Sequence, residues 1–217
     1  MSICLAISDV DWNLTKDVFS VLSTIVTAIG VGLAAGVGFS GLATWRKQNK
    51  GTSDHDLSRR LLIDLYRLRD CIGHVRNPVM LGSEGSGEDE AKNLSFLQIS
   101  YRNTVRAYQN RFTPIDEVRA RLSTSLLESE AVWDGEVKSR FDSIFNLQHE
   151  LWLNVSTYLV TINPDEKDDR VCAYRKILDR KRDVLYSSPL GGDDEFKAEL
   201  DAALCHVENY LRPKLIS

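Results

Sequence analysis

VFSVLSTIVTAIGVGLAAGVGFSGLATW, residues Val18 to Trp45, is the stretch that decides how the chain is built. No charged residue interrupts it. Asp17 closes one side, and Arg46 and Lys47 close the other. At about 1.5 Å per residue, a helix over this run reaches roughly 40 Å, beyond the roughly 30 Å hydrocarbon core of a bilayer. A buried helix of this length would need a far larger domain around it. A cleaved signal peptide starts basic and has an apolar run about half as long, whereas here Asp9 and Asp11 stand against Lys16 alone. The stretch is expected to be a single transmembrane helix, with residues 1–17 as a short outer tail.

Its small residues are ordered. Ser20, Thr24, Ala28, Gly32, Gly36, Ser40 and Thr44 recur at every fourth position, and Gly32 to Gly36 is a GxxxG pair. On a membrane helix such a row lets a second helix approach closely, so Ala28, Gly32, Gly36 and Ser40 are the expected packing residues of a homo-oligomer. The same Ser, Thr and Gly row could instead line a water-filled pore between packed anchors. Trp12 and Trp45 bracket the run at the level where amphipathic rings prefer to sit.

Charge sets the expected orientation. Arg46, Lys47, Lys50, Arg59 and Arg60 follow the run, against one lysine before it. Excess Lys and Arg stay on the cytoplasmic side, which places residues 1–17 outside and residues 46–217 in the cytoplasm. The same five basic residues are the expected contacts to anionic lipid headgroups of the bilayer. The formal net charge of the 217 residues is −4, which supplies no global basic field, and no nucleic-acid partner is expected. The four cysteines, Cys4, Cys71, Cys172 and Cys205, show no CxxC pair, so neither a disulfide frame nor a metal site is expected. Of the glycosylation-type tripeptides, only Asn13-Leu-Thr15 would lie outside, for a host that uses it.

The remainder reads as an all-α cytoplasmic bundle of about six helices over residues 53–217, joined to the anchor by a polar, basic hinge at 46–52. Ser53 is the expected N-cap of the first helix, which carries Leu57, Leu61, Leu65, Leu68, Ile72 and Val75 at spacings of three and four and ends before Pro78. Glycine, serine and acids make residues 79–92 a flexible loop. A second helix is expected from about Leu94 to Arg111, with Leu97, Tyr101, Val105, Tyr108 and Phe112 inward. Thr113-Pro114-Ile115-Asp116 signals the start of a third, with Ile115, Val118, Leu122 and Leu126 inward. After a break near Asp134-Gly135, the fourth and central helix stripes Val137, Phe141, Ile144, Gln148, Leu151, Val155, Tyr158 and Ile162, broadened by Trp152 and Leu159. Asn163-Pro164-Asp165-Glu166 signals the fifth, with Val171, Tyr174, Ile177, Leu178 and Leu185 facing in. The sixth, from Asp193, buries Phe196, Leu200, Leu204, Val207 and Leu211. No period-two alternation appears, so no sheet is expected.

Few signals point to chemistry. Gly191-Gly192-Asp193-Asp194-Glu195-Phe196 resembles the GGDEF signature of diguanylate cyclases with one extra Asp. It lies between helical patterns rather than on a hairpin, and reads as a turn followed by an Asp N-cap. Arg69-Asp70-Cys71-Ile72-Gly73-His74 is similar to the R-x4-H pattern of the all-helical HEPN-type ribonucleases. That resemblance implies Arg69 and His74 as catalytic residues acting across a dimer. The plainer reading is a polar helix end, with His74 near the terminal carbonyls. His149-Glu150 opens like a zinc-protease motif, but Leu153 stands where the second ligand belongs. The block from Thr44 to Pro78 resembles a juxtamembrane block of uncharacterised bacterial single-pass membrane proteins. This implies the same layout in a bacterial inner membrane and carries no activity or cofactor with it. The expectation is a membrane-anchored helical interaction or effector module, non-enzymatic and without a cofactor, whose protein partner the sequence does not name. The alternative is a membrane-tethered HEPN-like ribonuclease.

Overall fold

The computed structural model describes residues 9–85, 94–133, 135–187 and 194–215. It is all-helical over those residues, with α1 (Asp9–Val75), a single turn α2 (Gly82–Gly85), α3 (Phe96–Val132), α4 (Glu136–Thr161), α5 (Asp168–Asp179), α6 (Glu195–Leu211) and a terminal 3-10 turn (Arg212–Leu215). The chain divides into two compact units, Met1–Ser53 and Asp54–Ser217.

In the first unit, α1 is long and apolar enough to cross a membrane, and none of its most apolar window is buried. Two expectations are corrected. The helix already begins at Asp9, so residues 9–17 belong to it and not to a separate tail. Residues 1–8, Cys4 among them, lie outside the described residues. Residues 46–53 are also helical, so there is no break at the polar hinge and Ser53 is a helix-interior residue, not an N-cap. Arg, Lys and Gln are good helix formers, and the one glycine, Gly51, costs only about 1 kcal/mol relative to alanine in a helix already nucleated on either side. The Thr52 hydroxyl donates to the Gln48 carbonyl at 3.0 Å.

The second unit is built around a core drawn from the last six turns of α1 and from α3, α4 and α6. Leu57, Leu61, Leu65, Leu68 and Ile72 are wholly buried, and Leu62 and Val75 nearly so. Against them pack Tyr108, Ile115, Val118 and Leu122 of α3, Phe141, Ile144 and Leu151 of α4, and Phe196, Leu204 and Leu211 of α6. Burying one such side chain contributes about 1.5–3 kcal/mol. Polar links fix the helices at their edges. Trp133 Nε1 donates to Asp54 at 2.7 Å, and Arg119 donates to Gln148 at 3.2 Å. Asp64 accepts from Arg67 and Arg121, both at 3.2 Å.

Four local readings change. The second and third expected helices are one, because α3 runs through Pro114. Its buried stripe, Tyr108, Arg111, Ile115, Val118, Leu122 and Ser125, does not change phase at the proline, so packing on both sides outweighs the lost hydrogen bond. The Asn163-Pro164 signal makes a turn instead of a helix start. Asn163 Oδ1 accepts the Asp165 N–H at 3.1 Å, and α5 begins only after Lys167, which lacks a side-chain cap. None of α5 is buried, and Ile177 is exposed, contrary to the inward face expected for it. Leu97 and Trp152 are likewise on the surface, while Leu147 takes the core position beside Ile144. Of the loop 79–92, residues 79–85 are described, with Gly85 buried, and 86–92 lie outside the described residues. So do Asn93, Asp134 and Gly191 to Asp193. Asp194 is the N-cap of α6, its carboxylate accepting the Lys197 N–H at 2.9 Å.

Candidate functional site

The hydroxyls of Thr24, Thr27, Ser40 and Thr44 donate to the carbonyls four residues back, at 2.8–3.0 Å. In hydrocarbon a hydroxyl has no water to bond, and turning it onto its own backbone satisfies it. The row Ala28, Gly32, Gly36 and Ser40 is exposed, and from Gly32 to Gln48 it forms a shallow concavity of about 590 Å³ bounded by Trp45. A Cβ added at Gly32 or Gly36 would meet nothing within 4 Å, so contacts within this chain do not require glycine there.

The basic residues divide. Arg46, Lys47, Lys50 and Arg59 are exposed. Arg60 donates to both carboxylate oxygens of Glu128 at 2.7 Å, so its charge is partly committed within the bundle. Arg69 and His74 are both exposed. Arg69 donates to Asp70 at 2.9 Å and its guanidinium lies 5.3 Å from the Tyr66 ring centroid. Residues five apart on an α-helix point roughly 140° away from each other, so one copy of α1 does not bring Arg69 and His74 onto one atom.

Two buried arginines hold the connections in place. The Arg111 side chain donates to Glu84 at 2.6 and 3.2 Å, to the Asn77 carbonyl at 2.7 Å and to the Val79 carbonyl at 2.6 Å. The Arg76 side chain donates to the carbonyls of Val184 and Tyr186 and to Asp194, at 2.9–3.0 Å, and stacks over Phe196. Tyr108 and Tyr158 meet edge to face at 6.4 Å between ring centroids, and burial pushes both hydroxyl pKa values up, with Tyr186 adding to the effect. The two arginines are clamps, their guanidinium groups satisfied by the chain itself.

The feature sequence reasoning missed is a cleft of about 480 Å³ between α4 and α6. Arg140, Ser143, Leu147 and Glu150 form one face of α4, at spacings of three and four. Glu199, Ala203 and His206 face them from α6, and Arg182 closes one end. Arg182 donates to both oxygens of Glu150, at 3.0 and 2.6 Å, and lies 2.7 Å from Glu199, which holds the Glu199 carboxyl below its usual range. At the other end, Arg140 bonds Glu136, lies 4.6 Å over the Tyr210 ring and donates to His206 Nε2 at 2.8 Å. A guanidinium has only donors, so Nε2 is the acceptor in this contact. Arg140, Ser143 and Glu150 on one side of α4 were visible in the sequence, but nothing in it said which helix would lie opposite. No protein-family model, characterised protein or solved structure matches this chain.

Proposed function

We propose that this protein is a membrane-tethered helical interaction module without catalytic activity. The observation that supports the reading is the exposed, uncharged Val18–Trp45 stretch of α1, long and apolar enough to cross a bilayer, with the hydroxyls of Thr24, Thr27, Ser40 and Thr44 bonded to its own backbone. Arg46, Lys47 and Lys50 favour a cytoplasmic C-terminal side and contact with anionic headgroups, in a bacterial inner membrane. The row through Gly32 and Gly36 suits pairing with a second copy. Cross-linking of the full chain in detergent tests the pairing. A dimer that weakens in Gly32→Ile and Gly36→Ile is expected, and a chain that stays monomeric throughout excludes it.

The second reading, a HEPN-like ribonuclease, draws on the exposure of both Arg69 and His74. It requires two copies to bring the pair together. RNA cleavage by the full chain, lost in His74→Ala with the fold intact, would displace the non-catalytic reading.

A further inference from the structure

A groove of about 390 Å³ runs between α3 and α4 on another face of the bundle. Gln109, Phe112 and Asp116 line it from α3, and Trp152, Ser156 and Leu159 from α4. Arg119 bonds Gln148, and Tyr108 meets Tyr158, so the two helices run antiparallel and Asp116 stands level with Trp152. The chain fills the neighbouring turn with a side chain of its own. There Arg119 lies 5.0 Å over the Phe145 ring and donates to the Gln148 amide oxygen at 3.2 Å. The Asp116 turn offers a larger ring and a stronger acceptor, and no Lys, Arg or His lines the groove. Asp116 has no ion-pair or hydrogen-bond partner among the described residues. The groove therefore carries one negative charge and no positive one. Trp152 is 49% exposed even with His149 stacked against its ring.

We propose that this groove binds an arginine side chain of a partner protein, its guanidinium paired with Asp116 and laid against Trp152. The methylene stem then covers Phe112 and Leu159, as arginine stems cover apolar surface elsewhere. A planar guanidinium stacks on an indole and pairs with a carboxylate through two parallel donors, which an ammonium does not do. Its remaining donors reach the side-chain oxygens of Gln109 and Ser156. A partner's arginine thus repeats between α3 and α4 what Arg119 does one turn away. The proposal rests on reading the domain as an interaction module and names the side chain it takes.

The test uses the full-length chain in micelles of an uncharged detergent and three capped, fluorescently labelled peptides. Their sequence is Ala-Leu-Ala-Arg-Ala, with the arginine kept or replaced by lysine or by citrulline, which has nearly the same shape and no charge. Anisotropy reads binding up to roughly millimolar concentration. The arginine peptide is expected to bind at least about threefold more tightly than either of the others. Asp116→Asn should remove its advantage over the citrulline peptide, and Trp152→Leu should weaken it about threefold. Both side chains are exposed, so each variant is expected to keep its helical spectrum. Equal binding of the arginine and citrulline peptides, a lysine peptide that matches arginine, or no binding of any would overturn the proposal. So would an arginine preference that survives Asp116→Asn, or an affinity unchanged by Trp152→Leu. A chain that prefers arginine but does not associate with membranes loses the tether and keeps the groove. The reverse result loses the groove alone.

Discussion

Glu84 reaches Arg111 with both carboxylate oxygens, at 2.6 and 3.2 Å, from a single helical turn between Gly82 and Gly85. Arg111 is the largest fully buried side chain of the bundle, so this turn supplies the charge that makes its burial tolerable. Glu84→Ala is expected to destabilise the domain by roughly 3 kcal/mol, because it leaves a buried guanidinium without its counter-charge. Urea unfolding followed by circular dichroism measures it.

The same pair gives a pH dependence. The Arg111 hydrogen bond holds the Glu84 carboxyl below its usual range, with smaller help from the Leu81 N–H and His74. A depressed folded-state value means that its stabilisation is present above the unfolded-state value of about 4.3, and is lost as the pH falls through the lower folded value. The melting-temperature gap between the wild type and Glu84→Gln should therefore be constant near neutrality and narrow below about pH 4. A gap that widens on acidification would contradict the assignment.

Gly85 is needed for space. A Cβ there would lie 2.4 Å from the Asn103 carbonyl oxygen, which is backbone and cannot swing away. Gly85→Ala is expected to cost about 1–3 kcal/mol, as overpacking does. Gly82→Ala, where a Cβ meets nothing within 4 Å, should leave the unfolding midpoint unchanged within error.

Pro114 stands inside α3 at a place where the helix does not need it. Restoring the amide with Pro114→Ala should raise stability, by up to about 3 kcal/mol, the penalty of proline in a helix interior. Thermal unfolding of the two chains decides this, and a lower melting temperature in the variant would show that the proline has a packing role.

Period-3.6 patterning carried the parts of the fold that a single helix face determines. The stripes Phe196, Leu200, Leu204, Val207, Leu211 and Val137, Phe141, Ile144, Gln148, Leu151, Val155 are buried as that spacing requires. Boundaries were legible only where local chemistry met no competition. The Thr113-Pro114 signal was overridden by continuous packing on both sides, and Asn163 spent its side chain on a turn. The buried Arg111 was not legible, since its partners Asn77, Val79 and Glu84 come from a connection that sequence composition marks as loose. Nor was the α4–α6 cleft, because the Arg140–His206 contact joins residues 66 positions apart and exists only once the two helices are paired.

The central claim is that Val18–Trp45 lies in lipid. The most direct measurement is flotation of the full-length chain with phospholipid vesicles on a density gradient after alkaline carbonate washing. The account predicts that the wild-type chain floats and needs detergent for release, and that Ile25→Arg with Leu33→Arg abolishes this, because each central arginine costs about 2.5–3.5 kcal/mol of insertion. A wild-type chain that stays at the bottom of the gradient, soluble without detergent, would contradict it.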